Sequence, residues 1–262
     1  MIKVADICQL IDDFAPPALQ ENYDNAGLLI GSPEMTVSGA LICIDVTKEV
    51  VNEAITKNCN LIIAHHPLIF KGLKKINGSD DTQRAVIEAI KKDIAIYAAH
   101  TNIDSVIGGV SGRMAEKLHL KNIEILQQRE PEDNTVGFGV VGDLENPAEA
   151  TFFLEQIKSI FNVQCVRHTA LLQQLIKRVA VCGGAGSFLI DAAKKAKADI
   201  FITGDVKYHD FFLADNQLII ADIGHYESEQ FTKEIFYEII SKKIPNFAVR
   251  ISDTKTNPVN YF

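Results

Sequence analysis

Residues 61–67 read Leu-Ile-Ile-Ala-His-His-Pro, a short apolar run that ends in two histidines and a proline. Four apolar residues bounded by a turn-forming residue are typical of a buried strand. Two other apolar runs, residues 94–99 and 218–221, are also followed by a histidine, His100 and His225. In open α/β sheets, ligands and catalytic groups gather at the carboxyl ends of the strands. The sequence therefore predicts that these histidines lie at such an edge.

Carboxylates accompany two of these histidines. Asp104 follows His100 by four residues, and Glu229 follows His225 at the same interval. Imidazole and carboxylate together are ligands suited to zinc, iron, manganese or nickel. The sequence therefore indicates a metal site, and the number of such side chains favours more than one ion.

The adjacent residues His65 and His66 cannot both face one metal site in the middle of a strand, because neighbouring side chains on a strand point to opposite faces. At the strand end, where the backbone turns into Pro67, both can reach one cavity and bind two different ions. A single histidine there is more often an ordinary core or surface residue. For two adjacent histidines after an apolar strand, the metal-ligand interpretation and the ordinary-residue interpretation have equal weight.

His225 and Glu229 are four residues apart at the start of a predicted helix, so both side chains lie on one helix face. Glu227 is expected to point elsewhere, exposed to solvent or complementing the helix N-terminus. Alternatively, Glu229 is a helix-start carboxylate beside an incidental histidine, and Asp104 is a turn former. The joint occurrence of three histidine-bearing strand ends favours the metal site.

A further polar group, Asp205 and His209, follows a predicted strand at residues 199–203. Both are candidates for proton transfer or substrate binding, and capping of a short helix is an equally weighted alternative. His100 and His209 are candidate proton carriers, since the unperturbed pKa of histidine is about 6.5.

Strands and helices alternate along the chain, which predicts two α/β domains with mainly parallel sheets flanked by helices. The first domain is predicted to comprise residues 1–125 plus 226–262 and the second residues 126–225, because residues 123–135 are polar and turn-rich. Helices are predicted at residues 4–14, 48–58, 81–92, 110–118, 147–161, 187–197, 207–214 and 226–242. Strands are predicted at residues 40–46, 61–65, 94–99, 136–142, 163–168, 178–182, 199–203, 217–222 and 246–252.

Composition and charge argue against several classes of protein. A net charge of −8 disfavours a sequence-independent nucleic-acid binder, which needs a basic face. The local basic group Lys71, Lys74 and Lys75 is interpreted as a solvated loop. The five scattered cysteines form no C-x-x-C pair, which favours a reducing compartment. No stretch has the character of a membrane span or a signal sequence, so the protein is expected to be cytoplasmic.

Two glycine-rich stretches resemble nucleotide-binding motifs only superficially. Residues 137–142 match G-x-G-x-x-G, but their glycines interleave with apolar residues inside a predicted strand. Residues 183–187, Gly-Gly-Ala-Gly-Ser, lie between a predicted strand and a predicted helix and can bind an anion through backbone N–H groups. A tight turn is the preferred interpretation, because no Walker lysine follows.

Six motifs, taken together, resemble the Nif-three-like dinuclear-metal family, whose members are often labelled GTP cyclohydrolase I type 2 homologues. They cover nearly the whole chain and lie at residues 23–28, 65–70, 100–104, 183–187, 203–205 with His209, and 224–229. Tyr23 stands where the family commonly has tryptophan. The length of the chain matches the short form, which lacks an inserted middle domain.

The resemblance implies a metal cleft between the two domains, two divalent ions per chain and a toroidal homohexamer. It implies that Glu229 bridges the ions and that His100 is a pocket residue. The ligands carried over by resemblance are His65, His66, Asp104, His225 and Glu229. The implied activity is metal-dependent hydrolysis of a small, nucleotide-like substrate, with ring opening as in a GTP cyclohydrolase. A phosphoesterase-type metallohydrolase and a non-enzymatic metal-binding or regulatory protein are the alternatives.

Overall fold

The computed structural model describes residues 1–131, 133–172 and 175–262. The chain divides into two compact units. The first unit comprises Met1–Ile103 and Thr232–Pro258, and the second comprises Asp104–Phe231 and Val259–Phe262. Each unit contains a sheet flanked by helices, which confirms the predicted α/β class.

The helices and strands of the described residues alternate over much of the chain. The helices are α1 (Val4–Phe14), α2 (Lys48–Thr56), α3 (Asp81–Lys91), α4 (Thr101–Asp104), α5 (Val110–Lys117), α6 (Ala150–Phe161), α7 (Ile190–Lys195), α8 (His225–Glu229) and α9 (Thr232–Lys243). The strands are β1 (Gly27–Ile30), β2 (Ala40–Cys43), β3 (Leu61–Ala64), β4 (Ala95–Ala98), β5 (Lys121–Gln128), β6 (Gly137–Ala148), β7 (Arg167–His168), β8 (Ile176–Ala185), β9 (Ile200–Gly204), β10 (Ile219–Asp222) and β11 (Val249–Ile251). Short 3-10 helices lie at Pro17–Leu19, Ser187–Leu189 and Tyr208–Ala214.

The sheet of the first unit has the strand order β1-β4-β3-β2-β11. Its neighbouring strands are parallel, except that β1 runs antiparallel to β4. Strands β2, β3 and β4 are buried along their whole length, as expected for strands covered on both faces. Apolar side chains of α2 and α3 pack on one face of this sheet. The helix α2 begins where the sequence predicts, because the hydroxyl of Thr47 accepts from the backbone N–H of Val50.

The sheet of the second unit has the order β5-β6-β8-β9-β10-β7. Strands β8, β9 and β10 are parallel, whereas β5–β6, β6–β8 and β10–β7 are antiparallel. The predicted mainly parallel pairing therefore holds in the first sheet, while the second is mixed. Alternate residues of its central strands face two apolar clusters, so that Val181 and Ile202 lie in one, and Ala180 and Phe201 in the other.

The two units have different bounds from the predicted domains. Residues 104–125, 226–231 and 259–262 belong to the second unit. Within it, α5 packs on β6 and β8, and α8 packs on β8 and β9. The stretch predicted as a boundary, residues 123–135, overlaps β5, which pairs with β6. The predicted helix at residues 226–242 is interrupted after Glu229 and becomes α8 and α9. Among the described residues, no helix combines the length and apolar character that a bilayer crossing requires.

Candidate metal centre

Three histidines of the first unit lie together at the carboxyl edge of its sheet, and we name His65, His66 and His100 the histidine cluster. The register pairs Ala64 at the end of β3 with Ala98 at the end of β4, so His65 and His100 emerge side by side. The ring centroids of His65 and His66 are 4.8 Å apart, and each lies 5.4 Å from the centroid of His100. One ring nitrogen of each histidine lies within 4.8 Å of the others, which is a separation that a shared metal site requires.

The Nδ1 atom of every ring in the histidine cluster faces an oxygen acceptor. Nδ1 of His65 lies 3.0 Å from the carbonyl oxygen of Ala99. Nδ1 of His66 lies 2.7 Å from Oδ1 of Asp45, and Nδ1 of His100 lies 2.8 Å from Oδ1 of Asp24. A neutral imidazole that donates from Nδ1 keeps Nε2 as an electron-pair donor. Metal-binding histidines in proteins are held in this way.

The two carboxylates behind the histidine cluster are themselves fixed. Asp45 also accepts from the hydroxyl of Thr256 at 2.7 Å. Asp24 accepts from the backbone N–H and the hydroxyl of Thr101. Burial raises the pKa of Asp24, but hydrogen bonds from His100 and Thr101 outweigh burial and lower its pKa well below the usual range. Asp24 is therefore ionised and orients the His100 ring.

A second group of candidate ligands lies in the second unit. His225 and Glu229 are on one face of α8, and Nε2 of His225 lies 3.1 Å from Oε2 of Glu229. Nδ1 of His225 lies 2.8 Å from Oδ2 of Asp205, which follows strand β9. The His225 ring thus resembles the rings of the histidine cluster in having an oxygen acceptor behind Nδ1, which here is a carboxylate, as for His66 and His100. Glu229 is almost fully buried, with 3% of its surface exposed.

Asp104 and Glu229 both lie within electrostatic range of one buried thiol, that of Cys182. Burial, followed by the negative charges of Asp104 and Glu229, raises the pKa of Cys182. Two ionised carboxylates around a buried, protonated thiol are stabilised by a nearby positive charge. A divalent cation supplies such a charge, so the donor set of this unit fits a metal ion.

The glycine-rich motif at residues 183–187 leaves room for Glu229. Gly184 has a φ of +62°, and a Cβ atom there would lie 2.3 Å from Oε1 of Glu229. The backbone N–H of Gly184 also donates to the hydroxyl of Ser228 at 2.9 Å. The motif therefore lets the backbone of β8 approach the carboxylate closely, in addition to forming a turn.

A buried carboxylate, Asp222, holds together the loops that carry Asp205 and His225. Its Oδ2 accepts from the backbone N–H of Val206 at 2.9 Å and from Arg167, and its Oδ1 accepts from the backbone N–H of Gly224 at 2.9 Å. Sequence analysis missed Asp222, Asp45 and the orienting role of Asp24. Asp45 and Asp222 lie at or just past the ends of β2 and β10, so the strand-end criterion applied to the histidines also selects them.

The remaining predicted residues have clear positions. Glu227 is buried, with 9% of its surface exposed, so of its two expected positions the solvated one was wrong, while the one at the helix N-terminus agrees with the structure. The reason is local: a Cβ atom on Gly224 would lie 2.3 Å from Oε2 of Glu227, which shows that this carboxylate folds back over the start of α8. His209 is exposed and lies beside the rings of Tyr208 and Phe212, at centroid distances of 5.2 Å and 6.4 Å.

Comparison with known proteins identifies the family of the chain. The sequence profile of the family described as Duf34/NIF3 (NGG1p interacting factor 3) matches residues 2–258. The chain belongs to the Duf34/NIF3 family. This membership confirms the resemblance that the six sequence motifs indicated.

Several Duf34/NIF3 relatives carry the name GTP cyclohydrolase 1 type 2 homolog. The protein of Clostridium acetobutylicum is 36% identical over 231 residues, covering 87% of this chain and 85% of the relative. That of Lactococcus lactis is 34% identical over 267 residues, covering 98% of each chain. Among solved structures, Staphylococcus aureus protein SA1388 superimposes with a TM-score of 0.91 and 31% identity, covering 100% of this chain and 99% of the other.

Proposed function

We propose that the protein is a metal-dependent hydrolase that holds two divalent ions and acts on a nucleotide-like substrate. Zinc, iron, manganese and nickel all suit nitrogen and carboxylate donors. Glu229 is proposed to bridge the ions. The proposed ligands are His65, His66, Asp104, His225 and Glu229.

The observation that carries the proposal is the orientation of the imidazole rings. Nδ1 of His65, His66 and His225 each lies within 3.0 Å of a carbonyl or carboxylate oxygen. An acceptor behind Nδ1 fixes the tautomer and raises the basicity of Nε2, and such partners strengthen metal binding in proteins. The exposed His168 also has its Nδ1 2.7 Å from a carbonyl oxygen, but His65 and His66 differ from it because their ring nitrogens cluster with that of His100 within 4.8 Å.

Divalent ions held by these ligands would lower the pKa of a water molecule and polarise the bond under attack. The chain supplies the surrounding groups. Asp45 and Asp205 hold the rings of His66 and His225 in place, while His100 and Asp205 are proposed to line the pocket. His209 is exposed, so it can exchange protons with solvent and is the proposed proton carrier.

The proposed substrate class rests on the name that the relatives share. In a cyclohydrolase reaction, water adds to a carbon of the purine imidazole ring, and the ring C–N bond breaks. A second hydrolysis releases that carbon as formate. A site with two ions also serves phosphoester hydrolysis, in which a P–O bond breaks and phosphate is released.

Metal analysis tests the site. Protein purified without chelators is expected to contain close to two ions per chain by elemental analysis. His66→Ala is expected to lose most of that metal, because it removes a ligand. His168→Ala is the matched control, since His168 is exposed on the edge strand β7 and its substitution should leave metal content unchanged. Wild-type protein that takes up none of the four metals when supplied with them would refute the proposal.

Substrate turnover by the fully metallated protein tests the activity. Incubation with GTP is expected to release formate, and a chelator should abolish the release. Release of inorganic phosphate without formate would assign the site to phosphoester hydrolysis instead. Release of neither product would leave metal binding as the function and overturn the hydrolase assignment.

A further inference from the structure

The rings of Tyr23, Phe70 and His100 form a continuous series in the first unit, which we name the aromatic corner. The centroids of Tyr23 and Phe70 are 6.4 Å apart with the planes at 63°, and those of Phe70 and His100 are 6.0 Å apart at 83°. His100 also belongs to the histidine cluster. The aromatic corner therefore runs from the surface to the candidate metal ligands of this unit.

The two carbocyclic rings of the aromatic corner are open to solvent. Tyr23 is 67% exposed and Phe70 is 42% exposed. Single exposed apolar side chains are common on protein surfaces. Two aromatic rings that contact one another beside a histidine cluster are a different case, because they present flat apolar faces next to a candidate reaction site.

Hydrogen bonds next to each ring fix the backbone that carries it. Asp24, directly after Tyr23, accepts from Nδ1 of His100 at 2.8 Å. Asn25 donates from its side-chain amide to the carbonyl oxygen of Ile69 at 2.6 Å, directly before Phe70. The loop of Tyr23 is thus tied both to the histidine cluster and to the loop of Phe70. Rings that are exposed but already positioned lose little conformational entropy when they bind a ligand.

We infer that the aromatic corner binds the planar heteroaromatic ring of the substrate, with that ring in contact with both Tyr23 and Phe70 and its edge directed toward the histidine cluster. Aromatic faces stack on any nucleobase, whereas sugars and phosphates offer no such face. The steep angle between neighbouring rings forms a corner that can contact both the face and the edge of a planar ligand. This inference rests on the proposed function, because the histidine cluster supplies metal ligands in that proposal.

The absence of tryptophan from the chain allows a direct test. Tyr23→Trp keeps a stacking ring in the aromatic corner and introduces a single selectively excited fluorophore. Metal-loaded Tyr23→Trp protein is expected to show saturable quenching when titrated with guanosine or GTP. Inorganic tripolyphosphate, which has no aromatic ring, should cause no such quenching. Phe152→Trp is the matched control, because Phe152 is 61% exposed and lies in α6 of the second unit.

A second substitution, at Phe70, tests whether this neighbouring ring also contacts the ligand. In the Tyr23→Trp background, Phe70→Leu is expected to weaken guanosine binding about tenfold, since it removes a stacking face but retains apolar volume. Phe70→Tyr should restore the affinity. The inference is overturned by absent quenching, by equal quenching in Phe152→Trp, or by an affinity that Phe70→Leu leaves unchanged. Metal content is measured on every variant, so that loss of metal counts against the proposed function and loss of ring binding counts against this inference.

Discussion

At the scale of single residues, Gly184 decides whether Glu229 can occupy its position. The left-handed φ of +62° suits glycine, and a Cβ atom would approach Oε1 of Glu229 to 2.3 Å. Gly184→Ala is expected to displace the carboxylate and lower metal content strongly. The left-handed conformation adds a loss of stability of about 1–2 kcal/mol. Elemental analysis and thermal unfolding measure the two effects separately.

The matched control for Gly184→Ala is Gly78→Ala in the first unit. Gly78 also has a positive φ, +81°, but a Cβ atom there would meet side-chain atoms only at ordinary distances of 3.7 Å and 3.8 Å. We expect Gly78→Ala to lose comparable stability and to keep its metal. Equal metal content in the two variants would show that Gly184 has no part in placing Glu229.

At the residue scale, the sequence pattern selected histidines at strand ends but did not select the carboxylates behind them. His65, His66 and His100 were selected because each follows an apolar run, and the structure brings them together. Asp45 follows the end of β2 and was missed because the strand-end criterion was applied to histidines only. Its contact with His66 further depends on β2 lying beside β3, which one sequence does not reveal. The solvated alternative for Glu227 was wrong, because the burial of this side chain depends on how the chain folds around Gly224.

At the scale of elements, a carboxylate on α2 holds the segment that follows β11. Glu53 accepts from the hydroxyls of Ser252 and Thr254, each at 2.5 Å, and from the backbone N–H of Asp253 at 2.8 Å. Lys57 pairs with the same carboxylate at 2.6 Å. Burial raises the pKa of Glu53, but these hydrogen bonds outweigh it and lower the pKa to about 2.

Glu53→Gln is expected to destabilise the protein by about 1.5–3 kcal/mol at neutral pH, the range for hydrogen bonds to charged groups. Because the folded pKa lies below the ordinary value of 4.5, this stabilisation is complete above pH 4.5 and is lost as the pH falls toward 2. Thermal unfolding of wild type and variant should therefore differ at pH 7 and converge near pH 2. The control is Glu49→Gln, on the exposed side of the same helix, which should have the thermal stability of wild type at every pH. A stability difference between Glu53→Gln and wild type that stays constant with pH would contradict the role given to Glu53.

Element prediction worked where the hydrophobic pattern was strong. Strands β3 and β4 are continuous apolar runs, and α3 has both a capping aspartate and helical periodicity. Strand β5 was missed because its residues are half exposed and polar, which resembles a linker. The break between α8 and α9 was missed because residues 226–242 contain neither glycine nor proline. The position of this break depends on tertiary packing, which the hydrophobic periodicity of the sequence does not show.

At the scale of the whole molecule, we propose that the protein forms the homohexamer that its family resemblance implies. Large apolar side chains remain exposed on the described surface of the single chain, among them Phe188 at 57% and Phe212 at 68%. Burial of such side chains is the usual driving force of permanent assembly. Size-exclusion chromatography with light scattering is expected to give about six times the chain mass of 28.9 kDa, unchanged over a tenfold dilution. A mass equal to one chain, or one that falls steadily on dilution, would contradict a stable hexamer.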